Sequence, residues 1–122
     1  MKKILFIEDE AALQEAFGGF LTQAGYKVIN ALDGEIGLRL AKTEEPDLVL
    51  LDLVLPKLNG FEVLERLKSD EATKAIPVII MTNMEKMEDI NRAIELGAKT
   101  YLVKTEYELG EVIEKIKKII GI

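Results

Sequence analysis

Asp52 stands inside an apolar run, with Leu48-Val49-Leu50-Leu51 before it and Leu53-Val54-Leu55 after it. An unpaired carboxylate in such surroundings is costly, so its presence points to a partner or a task. Two further acids, Glu8 and Asp9, follow the apolar residues 4–7. Thr82 follows the apolar residues 78–81, and Lys104 follows residues 101–103. Brought to one surface, three carboxylates repel one another and demand a counter-charge. A hard divalent cation supplies it; magnesium needs only one or two protein carboxylates plus waters, and manganese is the alternative. In that setting Asp52 can act as a nucleophile on phosphorus. The metal and Lys104 would neutralise the developing oxygen charge, and Thr82 would donate a hydrogen bond.

Each of these residues also has a plainer role open to it. Asp9 could be an N-cap of the first helix. Thr82 and Glu85 have the spacing of a capping box. Lys104 could be a solvated lysine lying along an apolar surface. A plainer role is harder to find for Asp52, because an unpaired carboxylate there would cost several kcal/mol, and the conjunction at four strand ends weighs more than any one member. Histidine and cysteine are absent. That excludes disulfides, thiolate or imidazole zinc sites and a Ser-His-Asp triad, and any phosphohistidine chemistry needs a partner to bring the histidine.

The elements that must position these residues alternate. Residues 4–7, 26–31, 48–51, 78–81 and 101–103 are short Val, Ile and Leu-rich runs that predict buried strands. Between them lie segments with helical spacing. In the first, Leu13, Ala16, Phe17, Phe20, Leu21 and Ala24 share a face, and Gly25 ends it; Gly18-Gly19 weaken its middle by about 1 kcal/mol each relative to alanine. A second helix is expected over 33–42 with Asp33 as N-cap, a third over 59–68, and a fourth over 84–96 closed by Gly97. The fifth carries Leu109, Val112, Ile113, Ile116 and Ile120 on one side, with Thr105 and Glu108 as a capping box. Strands alternating with helices imply parallel pairing through right-handed crossovers. The fold class is therefore α/β, a three-layer α/β/α sandwich around a five-stranded parallel sheet. Ligands bind beyond the carboxyl ends of such strands, and the placement of the charged ends suits the order 2-1-3-4-5, with strands one and three adjacent at the centre.

At 122 residues, 48% of them apolar, the chain suits one domain over 1–122. A net charge of -6 argues against direct nucleic-acid binding. The apolar run at residues 4–7 is too short for a signal peptide, and no stretch approaches the ~20 residues of a membrane span. A cytoplasmic location is expected.

The ordered set Glu8-Asp9, Asp52 in Leu-Leu-Asp-Leu, Leu55-Pro56, Asn59-Gly60, Thr82 in Ile-Met-Thr-Asn, and Tyr101 with Lys104 in Tyr-Leu-Val-Lys resembles the receiver domain of bacterial two-component response regulators. The match runs from Lys3 to about Ile119. The resemblance implies a flavodoxin-like, CheY-like fold and a regulatory phosphoacceptor rather than an enzyme. It makes Asp52 the phosphoacceptor, Asp9 and Asp52 metal ligands, Glu8 a ligand directly or through water, and the Val54 backbone carbonyl a further ligand. Thr82 and Lys104 would contact the phosphoryl group, and Tyr101 would turn inward with Thr82. A sensor histidine kinase or phosphotransfer protein would be the donor. A downstream protein would read the surface of helix four, strand five and helix five.

Three departures carry expectations. Thr105 stands where the family usually has proline, and a cis bond before a non-proline residue costs about 3 kcal/mol, so a trans Lys104-Thr105 bond is expected. Lys99 replaces the acidic residue common in dimerising members, so a monomer or a weak phosphorylation-dependent dimer is expected. Val54 and Met84, apolar where hydrolysis is tuned, imply a long-lived acyl phosphate. An aspartate-nucleophile phosphatase would want an acid at Val54. A flavin carrier would want a neutral loop in place of Glu8-Asp9-Glu10. A docking-only pseudo-receiver would lack part of the acidic set, which is complete here.

Overall fold

The computed structural model describes residues 1–83, 86–103 and 108–121, the side chains of Thr82 and Leu109 excepted. Strands β1 (Lys3–Ile7), β2 (Lys27–Ala31), β3 (Leu48–Leu51), β4 (Val78–Thr82) and β5 (Thr100–Val103) alternate with helices α1 (Ala11–Gln23), α2 (Gly34–Glu44), α3 (Gly60–Ser69), α4 (Met87–Glu95) and α5 (Leu109–Ile120). The strands pair in parallel in the order β2-β1-β3-β4-β5, as the sequence predicts.

Alternation along the strands builds two apolar layers. Ile4, Phe6, Leu48, Leu50, Ile79 and Met81 face α1 and α5, where Phe17, Leu21, Val112, Ile113 and Ile116 are buried. Leu5, Ile7, Val49, Leu51, Val78 and Ile80 face the other way and meet Ala41 of α2, Phe61, Leu64 and Leu67 of α3, and Ala93 of α4. β1 and β3 are buried on both sides apart from Lys3, as central parallel strands must be. The register sets Ile7 opposite Leu51, so β1 and β3 end level with one another.

Local signals succeed where a side chain closes the first helical turn. Asp33 caps α2 by accepting from the Ile36 N–H at 2.9 Å, and Asn59 caps α3 by accepting from the Glu62 N–H at 3.1 Å. Four expectations need correction. The N-cap of α1 is Glu10, not Asp9, and its side chain makes no capping bond. Helix α4 starts at Met87, not at 84: Lys86 is its extended N-cap, and Glu88 and Asp89 occupy the first turn, where they suit the positive end of the helix dipole. The Thr82 side chain and Glu85, the expected box, lie outside the described residues. Likewise the N-cap position of α5 is Glu108, whose carbonyl accepts from the N–H groups of Glu111 and Val112, while Thr105 lies outside the described residues. On α1, Ala16 is exposed while Gln14 and Gly18 are buried. The rest of the expected face packs on the core, Leu13, Phe20 and Ala24 beside the buried Phe17 and Leu21, and Gln14 can join it because its amide donates to the carbonyls of Ala31 at 2.8 Å and Phe6 at 3.3 Å. Met84, Lys104 and the Lys104-Thr105 peptide lie outside the described residues.

Candidate functional site

The site begins with backbone. β1 ends at Ile7 and β3 at Leu51, and the next residue of each strand stays in the ladder: the Glu8 N–H donates to the Ala31 carbonyl at 3.0 Å, and the Asp52 N–H donates to the Ile7 carbonyl at 3.1 Å. Both side chains are thereby fixed at the carboxyl edge of adjacent central strands. Carboxylate oxygens of Glu8, Asp9 and Asp52 all lie within 4.8 Å of one another. Glu8 is 1% exposed and Asp52 4%, while Asp9 stands in solvent. Two near-buried acids side by side, with a third over them, make a concentrated negative charge that a cation would relieve.

Two backbone donors orient the buried acids. Val54 N–H donates to Asp52 Oδ1 at 3.1 Å, and Glu10 N–H donates to Glu8 Oε2 at 3.2 Å. The segment after β3 is pressed against the start of α3. Gly60 N–H donates to the Leu53 carbonyl at 2.9 Å, and a Cβ at Gly60 would lie 2.4 Å from both the Asp52 carbonyl oxygen and Leu53 Cα. Glycine is required there by close approach of two backbones.

The donor set fits magnesium. It is all oxygen and anionic, and opposite ligands of an octahedral magnesium ion stand about 4 Å apart. The observed spread is close to that span, so Glu8, Asp9 and Asp52 could hold such an ion with waters filling the remaining positions.

Val54 is 55% exposed at the rim of the site. Tyr101 is half-buried and packs against the apolar layer beneath α3 and α4. The backbone of Thr82 closes β4, paired with Val103 of β5. The Thr82 side chain and Lys104 are outside what the structure describes. A groove of about 820 Å³ between α2 and α3 is lined by Glu35, Leu38, Arg39, Lys42, Arg66 and Asp70 among others, and it contains none of the three clustered acids.

Sequence reasoning missed two contributors. Gln14 ties α1 to the ends of β1 and β2, and the signal for it was a lone amide on the inner face. Asp33 was read as a cap alone. Its second oxygen also meets Lys57 Nζ at 3.5 Å, and the Ile36 N–H, aided by the Lys57 charge, holds its carboxyl below the usual aspartate range. Lys57 itself carried no signal.

Residues 4–117 match the family described as "Response regulator receiver domain". The DNA-binding dual master transcriptional regulator RpaA of Synechocystis is 38% identical over 120 residues, covering 98% of this chain and 49% of that protein. Protein PilH of Pseudomonas aeruginosa is 38% identical over 104 residues, covering 85% of this chain and 86% of PilH. The chain thus spans about half the length of the first of these relatives and most of the second. Among solved structures, the receiver domain of a Pseudomonas aeruginosa sensor histidine kinase, with a magnesium ion coordinated in its active-site cleft, superposes with a TM-score of 0.89 at 26% identity, over 99% of this chain and 98% of that one. The chain belongs to the response-regulator receiver domain family.

Proposed function

We propose that this domain is a phosphorylation switch whose phosphoacceptor is Asp52, loaded with magnesium (or manganese) held by Asp9 and Asp52, with Glu8 acting directly or through water and the Val54 carbonyl as a further ligand. The observation that carries this reading is the meeting of the Glu8, Asp9 and Asp52 carboxylates within 4.8 Å at the ends of two central strands. When bound, the metal withdraws negative charge from the phosphoryl oxygens and lets an anionic acceptor approach an anionic donor.

The chain's own residues do the rest. Asp52 supplies the attacking oxygen: its O–P bond forms as the P–N bond to a phosphohistidine on a sensor kinase or phosphotransfer protein breaks, and the electron pair leaves with the imidazole. The Val54 N–H holds the Asp52 carboxylate in one orientation for that attack. Lys104 and Thr82 would contact the transferred group by charge and by hydrogen bond. The modification then biases an existing equilibrium in which Thr82 and Tyr101 move together, changing the surface of α4, β5 and α5 read by a downstream protein. The domain is a regulatory acceptor, acting in the cytoplasm, as a monomer or a weak phosphorylation-dependent dimer. Among the described residues no helix is long and apolar enough to cross a membrane.

The test is labelling by acetyl phosphate followed by peptide mass mapping. One phosphoryl group should appear on Asp52 in magnesium, and none in chelator or in Asp52→Asn. Labelling elsewhere, or equal labelling in chelator, would refute the assignment.

A further inference from the structure

We propose that Lys57 is a positioning residue of the metal site: its ion pair with Asp33 clamps the loop between β3 and α3 onto the start of α2 and so holds the Val54 carbonyl in place. The inference rests on the metal-site reading above.

Lys57 has φ +66°, a left-handed conformation that few non-glycine residues adopt. Its neighbours close a tight turn around it, with the Leu58 N–H donating to the Pro56 carbonyl at 2.7 Å. A three-residue turn of this hand is uncommon and strained. Glycine would take the same φ without strain, so what the lysine side chain touches bears on why a lysine stands here. That contact is Asp33 Oδ2 at 3.5 Å. Asp33 is a fixed anchor, 6% exposed, its other oxygen holding the first turn of α2. Beside it the two segments are already in close contact. A Cβ on Gly34 would fall 2.8 Å from the Leu58 carbonyl oxygen and 2.6 Å from Val63 Cγ2. The loop is therefore pinned near its start by the Val54 and Asp52 contact, near its end by Gly60 and Leu53, and at its turn by Lys57.

Charge and positioning predict opposite signs. If Lys57 acts only as a cation near an acidic cluster, removing it should tighten magnesium binding. If it positions the loop, removal should weaken binding even though the backbone strain is relieved. Magnesium binding is measured by calorimetry on the folded domain at about 0.15 M salt, alongside thermal melting. Lys57→Gly and Asp33→Asn should each weaken binding by about two- to fivefold, the range an exposed ion pair can supply. Lys57→Arg, which keeps the cation, should stay near wild type. The melting temperature of Lys57→Gly should not fall in parallel, and Asp33→Asn keeps an oxygen for the α2 cap. Equal or tighter binding by Lys57→Gly would overturn the proposal. Wild-type protein that binds no magnesium would overturn the metal-site reading itself, and the two failures are distinguished by the wild-type titration.

Discussion

At the scale of single residues, the site depends on small geometric requirements around two buried acids. Gly60 has no space for a side chain against the Asp52 and Leu53 backbone. Gly60→Ala should cost about 1–3 kcal/mol in denaturant unfolding and should also reduce labelling of Asp52, because the clash falls on the Asp52 carbonyl. Gln14 donates to two inner carbonyls, and Gln14→Leu should cost about 1–2 kcal/mol by removing these two bonds. Asp33 carries a pH prediction. Its folded carboxyl titrates below the ordinary value, first through the Ile36 N–H and then through Lys57. A depressed folded pKa contributes stability that is full above the unfolded pKa and is lost as pH falls through the folded one. The acid limb of the stability curve below about pH 4 should therefore be shallower in Asp33→Asn than in wild type. Asp70, lowered by Lys42 and the Ala72 N–H, acts in the same window and should keep part of the slope.

At the scale of elements, what the sequence reveals follows from how local each cause is. Asp52 was legible because a charge interrupting Leu and Val has few innocent explanations. Asp33 and Asn59 were legible because a cap is closed by its own first turn. The starts of α4 and α5 were not. Thr82-Glu85 and Thr105-Glu108 have the spacing of capping boxes, yet the chain enters these helices at Met87 and Leu109, where tertiary packing of Ile90, Ala93, Val112 and Ile113 fixes the helices. The inner face of α1 was legible in Leu13, Phe17, Phe20, Leu21 and Ala24, whereas Gln14 and Gly18 were not, because an amide reads as polar and a glycine as a breaker. The two glycines of α1 can be separated by experiment. Gly19 is exposed with no atom within 4 Å of an added Cβ, so Gly19→Ala should raise stability by about 0.5–1 kcal/mol in thermal melts. Among the described contacts of α4, Arg92 stacks over the Phe61 ring of α3 at 4.2 Å. Arg92→Ala should accelerate amide exchange in α4 selectively, since such a contact is worth about 0.5–1 kcal/mol and α4 buries few residues.

At the scale of the whole molecule, parallel pairing is what makes chemistry possible on this chain. Residues 8 and 52 are far apart in sequence, and right-handed crossovers return β1 and β3 side by side with their carboxyl ends level. The apolar layers on the two faces of the sheet hold those ends in register, so the three carboxylates are gathered at one edge. The sheet order was legible because strand ends differ in charge, whereas the left-handed Lys57 was not, since nothing in its neighbours' types marks a positive φ and its partner Asp33 lies in another loop. The most direct measurement is a magnesium titration of the folded domain followed by backbone amide shifts. Saturable shifts centred on residues 8–10 and 52–54 together, abolished in Asp9→Asn with the fold intact, are the expected result. Amides at these two strand ends that stay unmoved at saturating magnesium would contradict the metal-assisted switch.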